Sequence, residues 1–137
     1  MRIFIKYRTL KGNFFEISLS HSGNWVTCSF GNIPNGIDIE ADSRDALEIA
    51  KNFFTAEEYK ILCELSGQER NLQFLKFWTL KESRFKCKGD TNFAENITEK
   101  NFVLNDGAVV GFSCKSCSYS IFVEKDELEI RELLRNI

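Results

Sequence analysis

The first forty residues carry short apolar runs with polar residues at alternating positions, which is the period-two pattern of β-strands. Three such runs, 2–7, 14–19 and 25–30, are separated by polar stretches that contain glycine. The run GIDIE at 36–40 follows the turn sequence GNIPNG. The N-terminal third is therefore predicted to form short strands joined by turns.

The middle of the chain changes to a helical period. Ser43 is predicted to cap a first helix, whose apolar positions are Leu47, Ile49, Ala50, Phe53 and Phe54. Thr55, followed three residues later by Glu58, forms a capping-box sequence for a second helix. A third helix is predicted from about residue 69 to Lys88, ending at Gly89.

The last third returns to a strand pattern at 102–104, 109–114 and 119–124, with the turn sequence NDG before the second strand. The segment 126–137 has the spacing of an amphipathic helix. Strands at both ends and helices between them predict an α+β fold, with an antiparallel sheet packed against helices. A length of 137 residues predicts a single domain over residues 1–137.

Composition excludes several classes of partner. The formal net charge is −2, with both signs interspersed, which argues against a general nucleic-acid binder. No apolar stretch reaches the roughly 18 residues of a membrane span, and the charged N-terminus does not resemble a secretory signal. Five cysteines, an odd number, favour a reduced chain. The sequence therefore predicts a cytoplasmic protein that binds neither nucleic acid nor membrane.

Two carboxylates lie close together within GIDIE. On a strand, Asp38 and Glu40 fall on one face, and Ile37 and Ile39 fall on the other. A face of this kind is usually the solvated side of a sheet. The alternative is a cation bound between the two acids.

A third carboxylate occurs in the last helix. Trp78, Glu82 and Lys86 are spaced i, i+4, i+8 and fall within an arc of roughly 80°, which predicts that Glu82 lies in the apolar stripe. A surface ion pair between Glu82 and Lys86 also explains the spacing. Three carboxylates with nearby lysines, however, are typical of Mg²⁺-assisted phosphoryl chemistry.

Three stretches, in this order, resemble the 4′-phosphopantetheinyl transferases, in particular the surfactin-synthetase-activating type. They are SLSHSGNWV (18–26), GIDIE (36–40) and WTLKESRFKCKG (78–89), and FFTAEEYKIL (53–62) resembles the linking helix of that family. The resemblance implies one transferase-like half domain. It also implies an enzyme that moves the phosphopantetheine arm of coenzyme A to a serine of an apo acyl or peptidyl carrier protein.

The resemblance implies a role for each matched residue. Asp38, Glu40 and Glu82 would hold Mg²⁺ against the coenzyme A diphosphate. Lys86 would contact the phosphates and stabilise or protonate the leaving group, and Lys81 would assist it. Replacing Asp38 or Glu82 by alanine is expected to nearly abolish transfer with little loss of folding.

Three further residues match residues of the family, and two of them also have a simpler structural explanation. Glu58 would help to deprotonate the attacking serine, although it is also explained as a helix-capping acid. Ser20 and His21 would meet the coenzyme A phosphates. A lone histidine in a turn such as SHSG is otherwise a local hydrogen-bonding residue.

This chain is shorter than the surfactin-type enzymes whose motifs it resembles. Surfactin-type enzymes contain two similar halves with coenzyme A between them, and this chain corresponds to the second half. Lys6, Arg8 and Lys11 are candidates to replace basic residues of the missing half. A homo-oligomer is predicted to complete the site, with a dimer favoured over a trimer. The alternative function is a catalytically impaired relic that binds coenzyme A or a carrier protein.

Overall fold

The computed structural model describes residues 5–8, 14–42, 44–88 and 97–115. Within these ranges the chain forms six strands and three helices, which confirms the predicted α+β class. Their bounds, in chain order, are β1 (Ile5–Arg8), β2 (Phe14–Ser22), β3 (Trp25–Gly31), β4 (Asn35–Glu40), α1 (Ala46–Phe53), α2 (Ala56–Glu64), α3 (Gly67–Lys88), β5 (Thr98–Val103) and β6 (Val109–Cys114). None of the described helices is long and apolar enough to cross a membrane.

The strands form two antiparallel sheets of three strands each. The first sheet has the order β1-β2-β3, and His21 on β2 lies opposite Val26 on β3. The second sheet has the order β4-β6-β5, and Ile39 on β4 lies opposite Val110 on β6. Glycine with positive φ occurs in the turn between β2 and β3, at Gly23 (56°), and in the turn between β5 and β6, at Gly107 (90°). The first sheet joins the second because β2 packs beside β4.

Most predicted strands agree with the structure, and one is longer than predicted. The runs 14–19 and 25–30 lie within β2 and β3, and 109–114 coincides with β6. The predicted strand 102–104 overlaps only the last two residues of the longer β5, which begins at Thr98 and ends at Val103. The predicted strand 119–124 and helix 126–137 lie outside the described residues.

Helix α3 lies directly on β4 and β6, because both strands carry a glycine where the helix crosses. A Cβ added to Gly36 would stand 2.6 Å from the main-chain nitrogen of Cys87 and closer still to the Ser83 carbonyl. A Cβ added to Gly111 would stand 2.7 Å from the Leu80 nitrogen. The residues of α3 that face the sheet are correspondingly small and polar.

The core lies on the side of the second sheet that the helices cover. Phe54, Phe74 and Trp78 stack with ring centroids 5.3–6.3 Å apart and join α1 to α3. The buried core residues around them are Ala46, Ala50, Leu62, Leu75 and Val109. A second cluster of Ile39, Ala108 and Val110 covers the other side of the sheet.

Two local predictions about the helices are corrected. The N-cap of α1 is Asp45, whose side chain accepts from the Glu48 N–H, and it is not Ser43, which lies outside the described residues. Thr55 and Glu58 do form the predicted capping box. The buried stripe of α3 runs through Thr79 and Ser83, which are 0% exposed.

Glu82 is half-buried and lies beside this stripe, not within it. The physical reason is the close approach at the two glycines, which leaves room against the sheet only for small side chains.

Candidate active site

The acidic strand β4 lies at the edge of its sheet, and serine side chains satisfy its outer N–H groups. Ser18, Ser20 and Ser22 alternate along β2 and all point towards β4. Their Oγ atoms accept from the N–H groups of Ile37 (3.0 Å), Ile39 (3.3 Å) and Ala41 (3.0 Å), respectively. A buried strand edge needs such partners. The serine row therefore fixes the position of β4, and of its acids, relative to the first sheet.

Asp38 points from β4 towards α3 and is buried, with 5% of its surface exposed. Its Oδ1 accepts from Lys86 Nζ at 2.7 Å and from Ser20 Oγ at 2.8 Å. Lys86 also donates to the Ile37 carbonyl at 3.1 Å. The other oxygen, Asp38 Oδ2, is buried without a hydrogen-bond partner among the described residues. An unsatisfied buried carboxylate oxygen is costly, and a bound ligand would relieve that cost.

Glu40, two residues further along the same face, has a different set of partners. The Arg44 guanidinium donates to both carboxylate oxygens, at 2.8 and 2.9 Å, and Ser22 Oγ lies 3.4 Å from Oε2. Burial raises the pKa of Glu40 above its usual value; Arg44 opposes this shift, and the Asp38 carboxylate adds to it. The two acids therefore remain a costly pair of like charges.

Glu82 lies between two contacts that join α3 to this acidic strand. One turn before it, the Trp78 ring lies 5.9 Å from the Arg44 guanidinium carbon. One turn after it, Lys86 binds Asp38. Because residues four apart share a helix flank, Glu82 lies on the flank that faces Asp38 and Glu40. Lys86 pairs with Asp38 and not with Glu82, so the predicted surface pair is wrong.

The chemistry of these three acids fits a hard divalent cation. Within the described ranges, no three acidic, histidine or cysteine side chains are already close enough together to hold a metal ion. The unpartnered Asp38 Oδ2 and the adjacent Glu40 carboxylate are nevertheless the oxygen donors that Mg²⁺ prefers. Glu82 is the third donor available on the same side.

Glu58 and Lys81 form a separate ion pair on another flank of α3. Lys81 Nζ lies 2.7 Å from Glu58 Oε2, which also accepts from the Thr55 N–H, and 5.2 Å from the Phe54 ring centroid. Partial burial acts to raise the pKa of Glu58, but the hydrogen bonds from Lys81 and Thr55 outweigh it, so this pKa is lowered. At about 100° per residue, Lys81 and Lys86 point about 140° apart. The structure therefore does not bring Glu58 and Lys81 together with Asp38.

Ser20 and His21 are adjacent in sequence but lie on opposite faces of β2. The Ser20 hydroxyl is engaged by Asp38 and by the Ile39 N–H. His21 is exposed on the far face of the first sheet. Only Ser20 belongs to the acidic site as the structure describes it.

Sequence inspection missed three residues that touch the acidic strand: Ser18, Ser22 and Arg44. The period-two serines in SLSHS were a signal for a polar strand face. Nothing local in the sequence indicated that their hydroxyls would meet the edge of β4. Arg44 was four residues from Glu40, but no helix joins the two, so helical spacing did not apply.

The sequence comparisons identify the family of this chain. Residues 34–125 match the family model for the 4′-phosphopantetheinyl transferase superfamily. The 4′-phosphopantetheinyl transferase Sfp of Bacillus subtilis is 44% identical over 74 residues, which cover 54% of this chain and 33% of that protein. The 4′-phosphopantetheinyl transferase gsp of Aneurinibacillus migulanus is 31% identical over 136 residues, covering 86% of this chain and 56% of that protein.

The family match includes β4, α1, α2, α3, β5 and β6, and therefore all three candidate metal ligands. The chain belongs to the 4′-phosphopantetheinyl transferase superfamily. It spans between a third and just over half of the length of these two relatives.

Proposed function

We propose that this chain is an Mg²⁺-dependent 4′-phosphopantetheinyl transferase, acting on coenzyme A and an apo acyl or peptidyl carrier protein. The observation that carries this proposal is the buried acidic strand. Asp38 is held by Lys86 and Ser20, yet keeps one buried oxygen without a partner. Asp38 and Lys86 lie within residues 34–125, the part of the chain that matches the family model, and Ser20 lies before it.

The proposed reaction breaks one phosphoanhydride bond and forms one phosphoester bond. The carrier serine oxygen bonds to the phosphorus that bears the pantetheine arm, and the bond from this phosphorus to the bridging oxygen of the diphosphate breaks. The serine proton leaves, and adenosine 3′,5′-bisphosphate departs with the bond electrons. The diphosphate repels the nucleophile, so the site must supply positive charge.

Asp38, Glu40 and Glu82 are the residues that would hold Mg²⁺. When bound, Mg²⁺ would neutralise the diphosphate and favour departure of the bridging oxygen. Lys86 is fixed by two contacts, to Asp38 and to the Ile37 carbonyl. An ammonium has three N–H donors, so Lys86 keeps one for a phosphate oxygen.

The remaining assignments are also part of the proposal. Glu58 would accept the serine proton or orient a water that does so; its lowered pKa weakens it as a base and favours the oriented water. Lys81, His21 and Ser20 would contact phosphate groups. For Ser20 this role would be added to its bond with Asp38.

A transfer assay tests this function directly. The full chain is incubated with coenzyme A, MgCl₂ and a panel of apo carrier proteins, and the carriers are weighed by mass spectrometry. We expect the phosphopantetheine mass on at least one carrier, and its loss when EDTA removes the metal. Measurable coenzyme A binding with no transfer to any carrier would instead support the relic.

We also propose that a second copy of this chain completes the site. On the outer apolar face of the first sheet, Ile17 lies opposite Phe30 and Leu19 lies opposite Cys28, and Val26 lies opposite His21 at the end of the face. Val26 is 72% exposed and Phe30 is 58% exposed, an unusual face for a single folded copy.

The exposed thiols of Cys28 and Cys63 favour a reducing compartment, so we place this dimer in the cytoplasm.

A single charge on the outer apolar face is expected to separate the copies. Phe30→Asp should convert a dimer into a monomer at micromolar concentration in analytical ultracentrifugation, because a buried unpaired carboxylate opposes association. Phe53→Asp is the control, since Phe53 is 67% exposed but lies on α1. A wild-type monomer with full transfer activity would refute the dimer.

A further inference from the structure

Arg44 is the one partner of the acidic strand that is substantially exposed to solvent. Its side chain is 41% exposed, whereas the Glu40 carboxylate that it binds is 11% exposed. Lys86, the cation on Asp38, is only 9% exposed. Arg44 lies in the connection between β4 and α1, one residue before the N-cap of α1. None of the roles implied by the family resemblance involves this arginine.

We propose that Arg44 is a tethered counter-ion that occupies the Glu40 carboxylate in the metal-free protein and leaves it when a divalent cation binds. This inference rests on the proposed function, in which Glu40 is a metal ligand. Its consequence is that the chain competes with the metal for its own ligand. Arg44 would thus set the Mg²⁺ concentration at which the site fills.

The contacts show why a counter-ion is needed. Glu40 and Asp38 point to the same side of β4, and both are largely buried. Lys86 meets Asp38, but the described contacts of Glu40 with a positive group are those of Arg44. One guanidinium nitrogen of Arg44, Nη2, lies within hydrogen-bond distance of both Glu40 oxygens, so the guanidinium covers the carboxylate until another cation replaces it.

The solvent exposure of the two side chains decides whether Lys86 or Arg44 can leave its carboxylate. Lys86 is enclosed and has a second anchor at the Ile37 carbonyl, so displacing it would strand a buried ammonium. Arg44 already reaches solvent and borders an open hollow of ≈ 260 Å³ between the starts of α1 and α3. Asp45 and Arg70 also line this hollow, and the exposed Asp45 side chain, whose Oδ1 accepts from the Glu48 N–H, has a second oxygen to offer the guanidinium. Leaving Glu40 therefore costs Arg44 little.

The Trp78 ring offers a direct probe of this movement. The Arg44 guanidinium carbon lies 5.9 Å from the ring centroid in the closed arrangement. Release of Arg44 on metal binding should change the environment of Trp78. We therefore expect Mg²⁺ to alter tryptophan fluorescence in the wild type and to alter it much less in Arg44→Ala.

The test is a titration with MgCl₂, without coenzyme A or carrier, followed by isothermal calorimetry and tryptophan fluorescence. We expect Arg44→Ala to bind Mg²⁺ about two- to fivefold more tightly than the wild type, the range typical of an ion pair with one exposed member. Arg44→Lys keeps the charge but loses the planar guanidinium, so its affinity for Mg²⁺ should lie between those of the wild type and Arg44→Ala. Lys51→Ala is the matched control, because it removes an exposed positive charge from α1 without touching Glu40.

The outcomes separate this inference from the function on which it rests. Tighter binding in Arg44→Ala but not in Lys51→Ala supports the counter-ion. Equal or weaker binding in Arg44→Ala, or equal tightening in Lys51→Ala, overturns it while leaving the metal site intact. Absence of Mg²⁺ binding in both the wild type and Arg44→Ala refutes the metal assignment itself, and the counter-ion with it. Mg²⁺ binding that survives in Asp38→Asn would likewise refute the metal assignment and the counter-ion.

Discussion

Asparagine in place of Asp38 is expected to lower phosphopantetheine transfer by at least about 100-fold, because it removes the charge that binds the metal and fixes Lys86. It is also expected to destabilise the fold. Lys86 would keep its hydrogen bond to the Ile37 carbonyl but lose its counter-ion. Only 9% of the Lys86 side chain is exposed, so water cannot replace that counter-ion fully. Breaking a buried pair in this way costs about 3 kcal/mol. Mass spectrometry of the carrier and thermal unfolding measure the two effects separately.

Glu82→Gln is the matched variant that separates activity from folding. Glu82 is half-buried and carries no ion pair among the described residues. We expect a comparable loss of transfer, but a stability change within about 0.5 kcal/mol. Sequence inspection predicted little loss of folding for alanine at both positions; because Asp38 is buried and paired with Lys86, we now expect a loss of folding there.

A double variant, Asp38→Asn with Lys86→Met, should recover stability relative to Asp38→Asn without recovering transfer. Methionine fills the space of the lysine stem and removes the stranded charge. Transfer that persists in both Asp38→Asn and Glu82→Gln would refute the metal assignment. Recovery of transfer in the double variant would show that folding, and not chemistry, had limited the single one.

Among Gly→Ala substitutions at the described glycines, Gly36→Ala is expected to lower the stability of the fold most. The new Cβ would overlap the Ser83 carbonyl and approach the Cys87 nitrogen to 2.6 Å. Both are helix backbone, so α3 as a whole must move away from β4. Overpacking of this kind costs about 3 kcal/mol, which corresponds to a fall in Tm of roughly 10 °C for a chain of this size.

Gly31→Ala is the control for this variant. Gly31 also lies in a strand, but its nearest neighbours stand 3.8 Å or more from an added Cβ, so its Tm should change little. Gly36→Ala should also weaken Mg²⁺ binding, because Asp38 and Lys86 meet across the same contact between β4 and α3. A Tm for Gly36→Ala within about 2 °C of that for Gly31→Ala would contradict the close approach of helix and strand.

Features that depend on neighbouring residues were predictable from the sequence. The strand β6 was predicted at its observed bounds, and the capping box of α2 was predicted at Thr55 and Glu58. Both follow from short-range rules, the period of a strand and the reach of a capping side chain. The N-cap of α1 was placed two residues too early, since several residues before this helix have suitable oxygens and the pattern does not choose between them.

The buried stripe of α3 shows where such rules fail. Hydropathy placed Glu82 within the stripe, whereas the buried residues are Thr79 and Ser83. Ser83 Oγ bonds to Ser113 Oγ at 2.8 Å, so a polar side chain is satisfied at the helix–sheet contact. The close approach at Gly36 and Gly111 decides which side of the helix is buried, and that distance is a property of two elements together.

The sequence by itself determined which of the candidate residues share a face or a flank. Asp38 and Glu40 share a face because a strand repeats every two residues, and Glu82 and Lys86 share a flank because a helix repeats nearly every four. Only the tertiary structure decided their partners: Lys86 with Asp38, Arg44 with Glu40, and Lys81 with Glu58. Local spacing fixes the direction of a side chain, but the packing of distant elements sets the distance to its partner, and electrostatic interactions depend on that distance.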